Sequence, residues 1–413
     1  MEINIELLLN LPKVKVLDCS ISDNEAHIYC ESTNTAGLCP VFHQPTSEVM
    51  MYQERKVRDM ALLGRKVYLH LQTRQFDCLD CHRYFNESFD FVEPSKTMTT
   101  RYEQYIYFMA DDICISQVCI KEDIVWSTVN AIYQKYADKD LDKRVLWQQV
   151  GYLGIDEISI RKGKRAYACC LVDLERGIVL DFLEDRQKET IIAYFKAKGT
   201  DFCNQIEVVS SDMWDAYSTL AGDLFPNAIS VIDRYHFFIH LSKALDSTRK
   251  SLRKEFPEEE SFKNLRWTLL KSPDNLSEDE QKTLKEAFSI SPALDEVYQL
   301  RKDLKAIFDL DLTKDQAATK VEQWQEKAQK LDNKPIESFL KTLNNWKDKV
   351  LSFFHQRHTN AVVEGLNNAI RGIIRRSFGF HSFENLRRRV LIELGESRIN
   401  HSRTIKIFKT IGH

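Results

Sequence analysis

Between residues 150 and 232 the chain runs through seven short segments in an order that strongly limits its fold. VGYLGID, RAYACCLVDL and GIVLDFL come first, each of strand length and separated by tight polar turns. KETIIAYFKA, IEVVSSD, WDAYSTLAGDL and AISVID follow, reading as helix, strand, helix and strand. Three hairpin-linked strands and then alternating helix and strand describe a mixed sheet flanked by helices. Two of the apolar runs end in aspartate, Asp156 and Asp212. Ligand sites in sheets of this kind gather at strand ends, and if the two strands are neighbours these carboxylates converge.

The segments on either side have different patterns, so the expected architecture is multidomain α+β. Residues 1–92 read as a small β-rich module, with the alternation in KVYLHLQTRQF marking a half-buried strand. Residues 93–145 turn helical, and ISQVCIKEDIVWSTVNAIYQKY, broken at Lys121 to Asp123, has the outline of a helix-turn-helix with Val125, Val129 and Ile132 inward. The sheet segment occupies 146–235, an order shared by the RNase H-like nuclease fold. Residues 236–355 are Lys, Glu and Leu rich, with breaks near Pro257, Pro273, Pro292 and Pro335, and read as an all-helical insertion. Residues 356–413 complete the core with one polar-apolar helix and a basic C-terminal helix.

Composition bounds the function. The 413 residues, 43% apolar and 29% charged, hold a substantial core, and no stretch approaches the roughly 18 apolar residues of a membrane span. The N-terminus lacks the layout of a secretory signal, so a cytoplasmic location is expected, and most of the ten cysteines read as core thiols. The net charge of -3 hides a local asymmetry, because residues 357–413 carry 11 Lys and Arg against 4 Asp and Glu. A basic segment of that kind suits phosphates.

A third carboxylate comes from helix phase. In TNAVVEGLNNAIRGIIRR, Glu364, Asn360, Asn368, Arg371 and Arg375 fall within about 40° of one direction, with Val362, Leu366, Ile370 and Ile373 opposite. Hard divalent cations take oxygen ligands, and a pair of them clamps the attacking and leaving oxygens of a phosphodiester. Asp156, Asp212 and Glu364 are therefore the candidate ligands of two Mg²⁺ or Mn²⁺ ions, with the arginines beside them for phosphate. An ordinary surface helix is the plainer reading of the last segment taken alone. Among nearby carboxylates, Glu157 is expected on the opposite strand face and Asp215 one helical turn beyond Asp212.

Four residues, Cys39, His43, Cys78 and Cys81, have the types and spacing of a tetrahedral zinc site. In the candidate recognition helix, Trp126, Ser127, Thr128, Asn130, Gln134 and Lys135 lie outside the apolar stripe, as base and phosphate contacts would; a helical hairpin joining two domains is the alternative. Arg375, Arg376, Arg387, Arg388 and Arg389 are candidates for contacts to the DNA backbone, or else a solvated face. Trp267, Trp324 and Trp346 read first as core, with base stacking the less favoured role.

Several blocks, GIDEISIRKGKRAYACCLVDL, VVSSDMWDAY, VIDRYHFFIHLSKALDSTRKSLR and TNAVVEGLNNAIRGIIRRSFGFHSFENLRRRV, occur in the order found in the ISL-three family of bacterial insertion-sequence transposases, which the chain resembles over nearly its whole length. The resemblance implies an RNase H-like catalytic core and a DDE triad at Asp156, Asp212 and Glu364. It also implies double-stranded DNA as partner, at transposon ends and target, and a homo-oligomer, most simply a dimer on paired ends. It gives Asp233 and His236 a role in supporting the metal ligands or touching DNA, against a helix cap and a partly buried histidine. The family usually carries a second cysteine where this chain has Phe42, so His43 or Cys30 substitutes, or the module holds no metal and packs around Phe76, Tyr84 and Phe85. A purely hydrolytic nuclease of the same fold and a catalytically silent DNA-binding regulator are the rival readings.

Overall fold

The computed structural model describes residues 5–143, 150–161, 166–213, 222–232, 234–259, 262, 265–356, 361–380 and 382–396. Asp233, Asp215 and Asn360, all named above, lie outside the described residues, as does the basic stretch beyond residue 396. The chain forms two compact units, residues 1–142 with 376–378, and residues 143–375 with 379–413.

In the first unit a short helix α1 (Ile5–Leu9) precedes β1 (Val14–Ile21), β2 (Glu25–Ser32), the two-residue strands β3 (Gly37–Leu38) and β4 (Pro45–Thr46), and the long hairpin β5 (Val49–Leu62) and β6 (Arg65–Cys78), with β7 (Arg83–Asn86) returning along β6. The sheet order is β1-β2-β6-β5 with β7 also on β6, and only the β2–β6 pair is parallel. Alternation in β6 buries Val67, Leu69 and Leu71, as its sequence predicts, while Phe76, out of step with them, is buried outside their core. Three helices follow, α2 (Thr100–Asp112), α3 (Ile115–Glu122) and α4 (Trp126–Asp142). Asp123 closes α3 in a left-handed conformation, φ 55°, which makes the sharp turn into α4. The buried stripe of α4 is Val129, Ile132, Tyr133, Tyr136 and Ala137, whereas Val125, expected inward, precedes the helix and is exposed.

The second unit is built on a five-stranded sheet of β8 (Tyr152–Arg161), β9 (Ala166–Asp173), β10 (Ile178–Leu183), β11 (Val208–Ser211) and β12 (Ile229–Ile232), in the order β10-β9-β8-β11-β12. The first three strands form antiparallel hairpins, and β8, β11 and β12 are mutually parallel. Asp173 sets the turn after β9: its carboxylate accepts from the amides of Glu175 and Arg176 and from the Arg176 guanidinium. One face of the sheet, with Leu153, Ile155, Leu171 and Val209, is covered by Ile191 and Phe195 of α5 (Lys188–Lys198) and Phe202 of α6 (Thr200–Gln205).

The helical part runs α7 (Arg234–Glu255), α8 (Leu265–Leu270), α9 (Glu278–Ile290), α10 (Pro292–Asp309), α11 (Lys314–Gln329), α12 (Lys334–Leu351) and α13 (Phe353–Gln356). Its breaks are chemical: Ser277 and Thr313 close capping boxes, and Pro292 and Pro335 occupy first-turn positions where no amide hydrogen is needed. Phe237, Phe308, Trp324 and Phe339 centre a core that also takes in Val208, Val231 and Ile232 of the sheet, so helices and sheet share one hydrophobic interior. Trp324 is core, its indole donating to the Leu300 carbonyl at 2.8 Å. Trp346 is half-buried against the same core and Trp267 is exposed. Two helices complete the unit, α14 (Ala361–Arg376) and α15 (Phe383–Leu394), the latter lying on β10 with Phe383 stacked on Phe182.

Candidate active site

The parallel register of β8 and β11 creates the site. Ser211, the last residue of β11, pairs with Ile155, so the next residues on the two strands, Asp212 and Asp156, come level where β11 stops. Asp156 is not at a strand end as expected, because β8 continues to Arg161 along its other neighbour β9. What ends there is the parallel partner, and that exposes Asp156 to a cavity.

Gly154, two residues earlier and on the same strand face, lets α14 approach. A Cβ at Gly154 would stand 2.8 Å from Leu174 Cδ2 and 3.0 Å from Val363 Cγ2, tighter than ordinary contact. With Val363 seated on the strand backbone, Asn367 one helical turn later reaches Asp156, donating from Nδ2 to Oδ2 at 2.5 Å. The Glu157 amide donates to the other oxygen, Oδ1, at 2.7 Å. Both oxygens of Asp156 are thereby oriented.

A cavity of about 250 Å³ is lined by Asp156, Glu157, Asp212, Tyr235, His236, Glu364, Asn367 and Arg371. His236 Nδ1 stands 2.8 Å from Asp212 Oδ1, an ion-pair distance but off the line of a good hydrogen bond. The Glu157 carboxylate is engaged by Arg186. Burial, and then the charge of Asp212, push the Asp156 carboxyl up to about 7, against the opposing pull of the Glu157 amide, His236 and Asn367. The cavity thus holds more negative charge than its own residues neutralise.

That imbalance, with oxygen donors around it, suits divalent cations. Among the described residues no hydrogen-bond donor reaches the buried oxygens Asp212 Oδ1 and Asn367 Oδ1, and all the candidate ligands are hard oxygen donors. The three carboxylates do not form a tight group, since among the described residues only three cysteines lie within one ion's reach of one another.

The expected phase of α14 is off by about one residue. Its buried residues are Val363, Asn367, Ile370 and Ile373, while Val362 is exposed and Leu366 half-buried. Asn368, the amide favoured from sequence, is exposed and accepts from Arg371 at 2.9 Å; the one in the cavity is Asn367, 3% exposed. A polar residue on the apolar side of an amphipathic helix was the signal available for it.

The remaining candidates fall in varied surroundings. Arg387, partly exposed, pairs with Asp181 of β10 at 2.8 and 3.1 Å, and Arg389 is 3% exposed beside Glu393. Arg388 is partly buried near Glu384, and Arg375 and Arg376 are exposed. On α4, Lys135 is held by Glu103 at 2.6 Å and Glu93 at 2.8 Å, which neutralises it. Ser127, Thr128 and Lys135 line a groove of about 440 Å³ with Ser95 to Met98, Trp126 is exposed, and Asn130 and Gln134 are half-buried.

In the first unit Cys39, Cys78 and Cys81 bring their sulfurs within 4.8 Å of one another, a cluster that fits zinc. Neither His43 nor Cys30 joins it. Cys30 lies in the sheet core, where burial first, then Glu6 and Cys19, push its thiol up to about 12. Phe76 and Phe85 stack beside the cluster, and Tyr84 is exposed.

One unit carries a mixed sheet with two level aspartates and the other a zinc-type cysteine cluster, a pairing that suits a DNA-processing protein, and comparison with known sequences specifies the class. A transposase family model, the DDE type of the ISL3 group, matches residues 153–390, and one described as the zinc-finger of transposase IS204/IS1001/IS1096/IS1165 matches residues 36–81. The chain belongs to the ISL3 family of transposases. It is similar to the transposase for insertion sequence element IS1001 of Bordetella parapertussis, 27% identical over 370 residues that cover 86% of this chain and 88% of that one. The transposase for IS1557 of Mycobacterium tuberculosis, strains CDC 1551 and H37Rv, is 23% identical over 310 residues, 69% of each chain.

Proposed function

We propose that the chain cuts DNA at the ends of its own insertion sequence and joins the freed 3′ ends to target DNA, with Asp156, Asp212 and Glu364 as the DDE triad. The observation that carries this reading is the shared cavity: two aspartates level on neighbouring strands, and a glutamate from a helix more than 150 residues later, around a negatively charged space. The strand order, three antiparallel strands with two parallel additions beside the first, supports an RNase H-like core, and the helices from Arg234 to Gln356 stand where an insertion would fall.

The three carboxylates would hold a pair of Mg²⁺ or Mn²⁺ ions, which when bound polarise the scissile phosphate and ease deprotonation of the attacking water. Asn367 fixes the rotamer of Asp156, and His236 stands against Asp212. Arg371 meets the non-bridging phosphate oxygens. In the first reaction water forms a bond to phosphorus and the 3′-oxygen leaves as a hydroxyl. In the second that hydroxyl attacks a target phosphodiester and displaces its 3′-oxygen. The first unit, with its cysteine cluster and three helices, recognises the terminal repeats and binds zinc.

Asp156→Asn, Asp212→Asn and Glu364→Gln, each assayed on DNA carrying the element's ends, should lose strand cleavage and retain end binding in a mobility-shift experiment. Cleavage at the normal rate by any folded triad variant would exclude that residue from the triad. A wild-type protein that cuts the ends but never joins a pre-cut 3′ end would instead be a nuclease.

A further inference from the structure

The cysteine cluster is built from two hairpin turns of the same backbone geometry, each opening on a cysteine and closing on a histidine. The first turn lies between β3 and β4, and the second between β6 and β7. In the first, the His43 amide donates to the Cys39 carbonyl at 2.9 Å and His43 has φ 55°. In the second, the His82 amide donates to the Cys78 carbonyl at 2.8 Å and His82 has φ 53°. Residue for residue, Cys39 corresponds to Cys78, His43 to His82, and Phe42 to Cys81. Phe42 therefore stands where the repeat would supply a fourth sulfur, and it is 53% exposed.

The hairpins are held together without that sulfur. Gly37 packs so closely on Phe76 that a Cβ there would lie 2.4 Å from the ring, Thr46 Oγ1 donates to the Asp77 carbonyl at 3.0 Å, and the Asp77 amide donates to the Glu48 carbonyl at 3.0 Å. Cys39 and Cys81 sulfurs, one from each turn, are 3.7 Å apart. Among the described residues no histidine, aspartate or glutamate completes the group.

We propose that the site holds one zinc ion through three thiolates and keeps its fourth tetrahedral position open, on the solvent side beside Phe42, to a small exogenous donor such as water or an imidazole. This rests on the reading of the cluster as a zinc site. Closed structural sites use four protein ligands, so an open position makes the metal more exchangeable and lets outside donors reach it. Three thiolates leave the site with a net charge of -1 rather than -2, which suits a module that approaches DNA.

The test uses the full chain loaded with zinc or with cobalt, compared with Phe42→Cys, His43→Ala and Cys81→Ser. Metal analysis should find zinc in the wild type, and competition with a chromophoric chelator should show Phe42→Cys binding tighter by on the order of tenfold or more. Added imidazole should change the visible absorption of the cobalt form of the wild type and not that of Phe42→Cys, while His43→Ala should match the wild type. Cys81→Ser should weaken binding. A wild type that binds metal but is indifferent to Phe42→Cys and to imidazole, or that loses affinity on His43→Ala, would overturn the open position. No metal in either the wild type or Phe42→Cys would overturn the zinc reading itself.

Discussion

Two aspartates side by side, one of them buried, are costly to the protein without a counter-charge between them. With Asp156 pushed up to about 7, the folded metal-free chain holds a proton that the unfolded chain releases near pH 4. Between those values the folded state binds more protons, so stability of the metal-free protein should fall as pH rises from about 4 to 7. Thermal unfolding across that range checks this, with Asp156→Asn expected to flatten the dependence and to abolish the gain that Mg²⁺ or Mn²⁺ gives the wild type near neutral pH. Asn367 has a separable role, because it touches the carboxylate and not the proposed substrate. Asn367→Ala should slow cleavage about 10- to 100-fold, in the range typical of residues that orient a metal ligand, while end affinity stays unchanged. The two aspartates were legible as apolar runs ending in carboxylate. Asn367 was not, because placing residues at 100° intervals leaves an error of about one residue, and on this helix that error exchanges Asn367 for its exposed neighbour Asn368.

Elements meet here through one small residue and one ion pair. Gly154 admits α14 to the sheet, so Gly154→Val should push the helix off through Val363 and Leu174. Overpacking of this kind costs about 1 to 3 kcal/mol, and unfolding measurements should find that loss together with a cleavage defect larger than the stability change explains. Arg387→Ala removes the guanidinium facing Asp181, which lies 8% exposed and also accepts from Tyr194. The expected loss is about 2 kcal/mol of stability, less than for a fully buried pair because Arg387 is partly exposed, with DNA affinity of the folded fraction unchanged. From sequence, three consecutive arginines on a basic helix resemble a phosphate-binding face. Asp181 offered little to show it would claim one, since it sits inside the apolar run GIVLDFL and its partner lies 206 residues away.

At the scale of the molecule, the sheet order was readable because hairpin and crossover segments differ in length and period. The sharing of one core between helices and sheet was not, since Val208, Val231 and Ile232 look the same in a strand covered by any partner. The first unit has its own sheet core and its own helices, so a fragment of residues 1–142 should fold alone and bind the element's ends in a mobility-shift assay with the preference of the full chain. Equal affinity of that fragment for unrelated DNA would move end recognition elsewhere.

The clasp of Asn367 on Asp156 also has a consequence for synthesis. A ribosome makes residues 1–142 and both aspartates long before α14, so a nascent chain holds the first sheet and the aspartate pair before it holds Asn367 and Glu364. A message broken between codons 213 and 360 would yield a product with residues 1–142 and both aspartates entire and no Glu364. If the first unit binds the element's ends as proposed, such a product should occupy them as a blocker, making early termination a brake on the element's own movement.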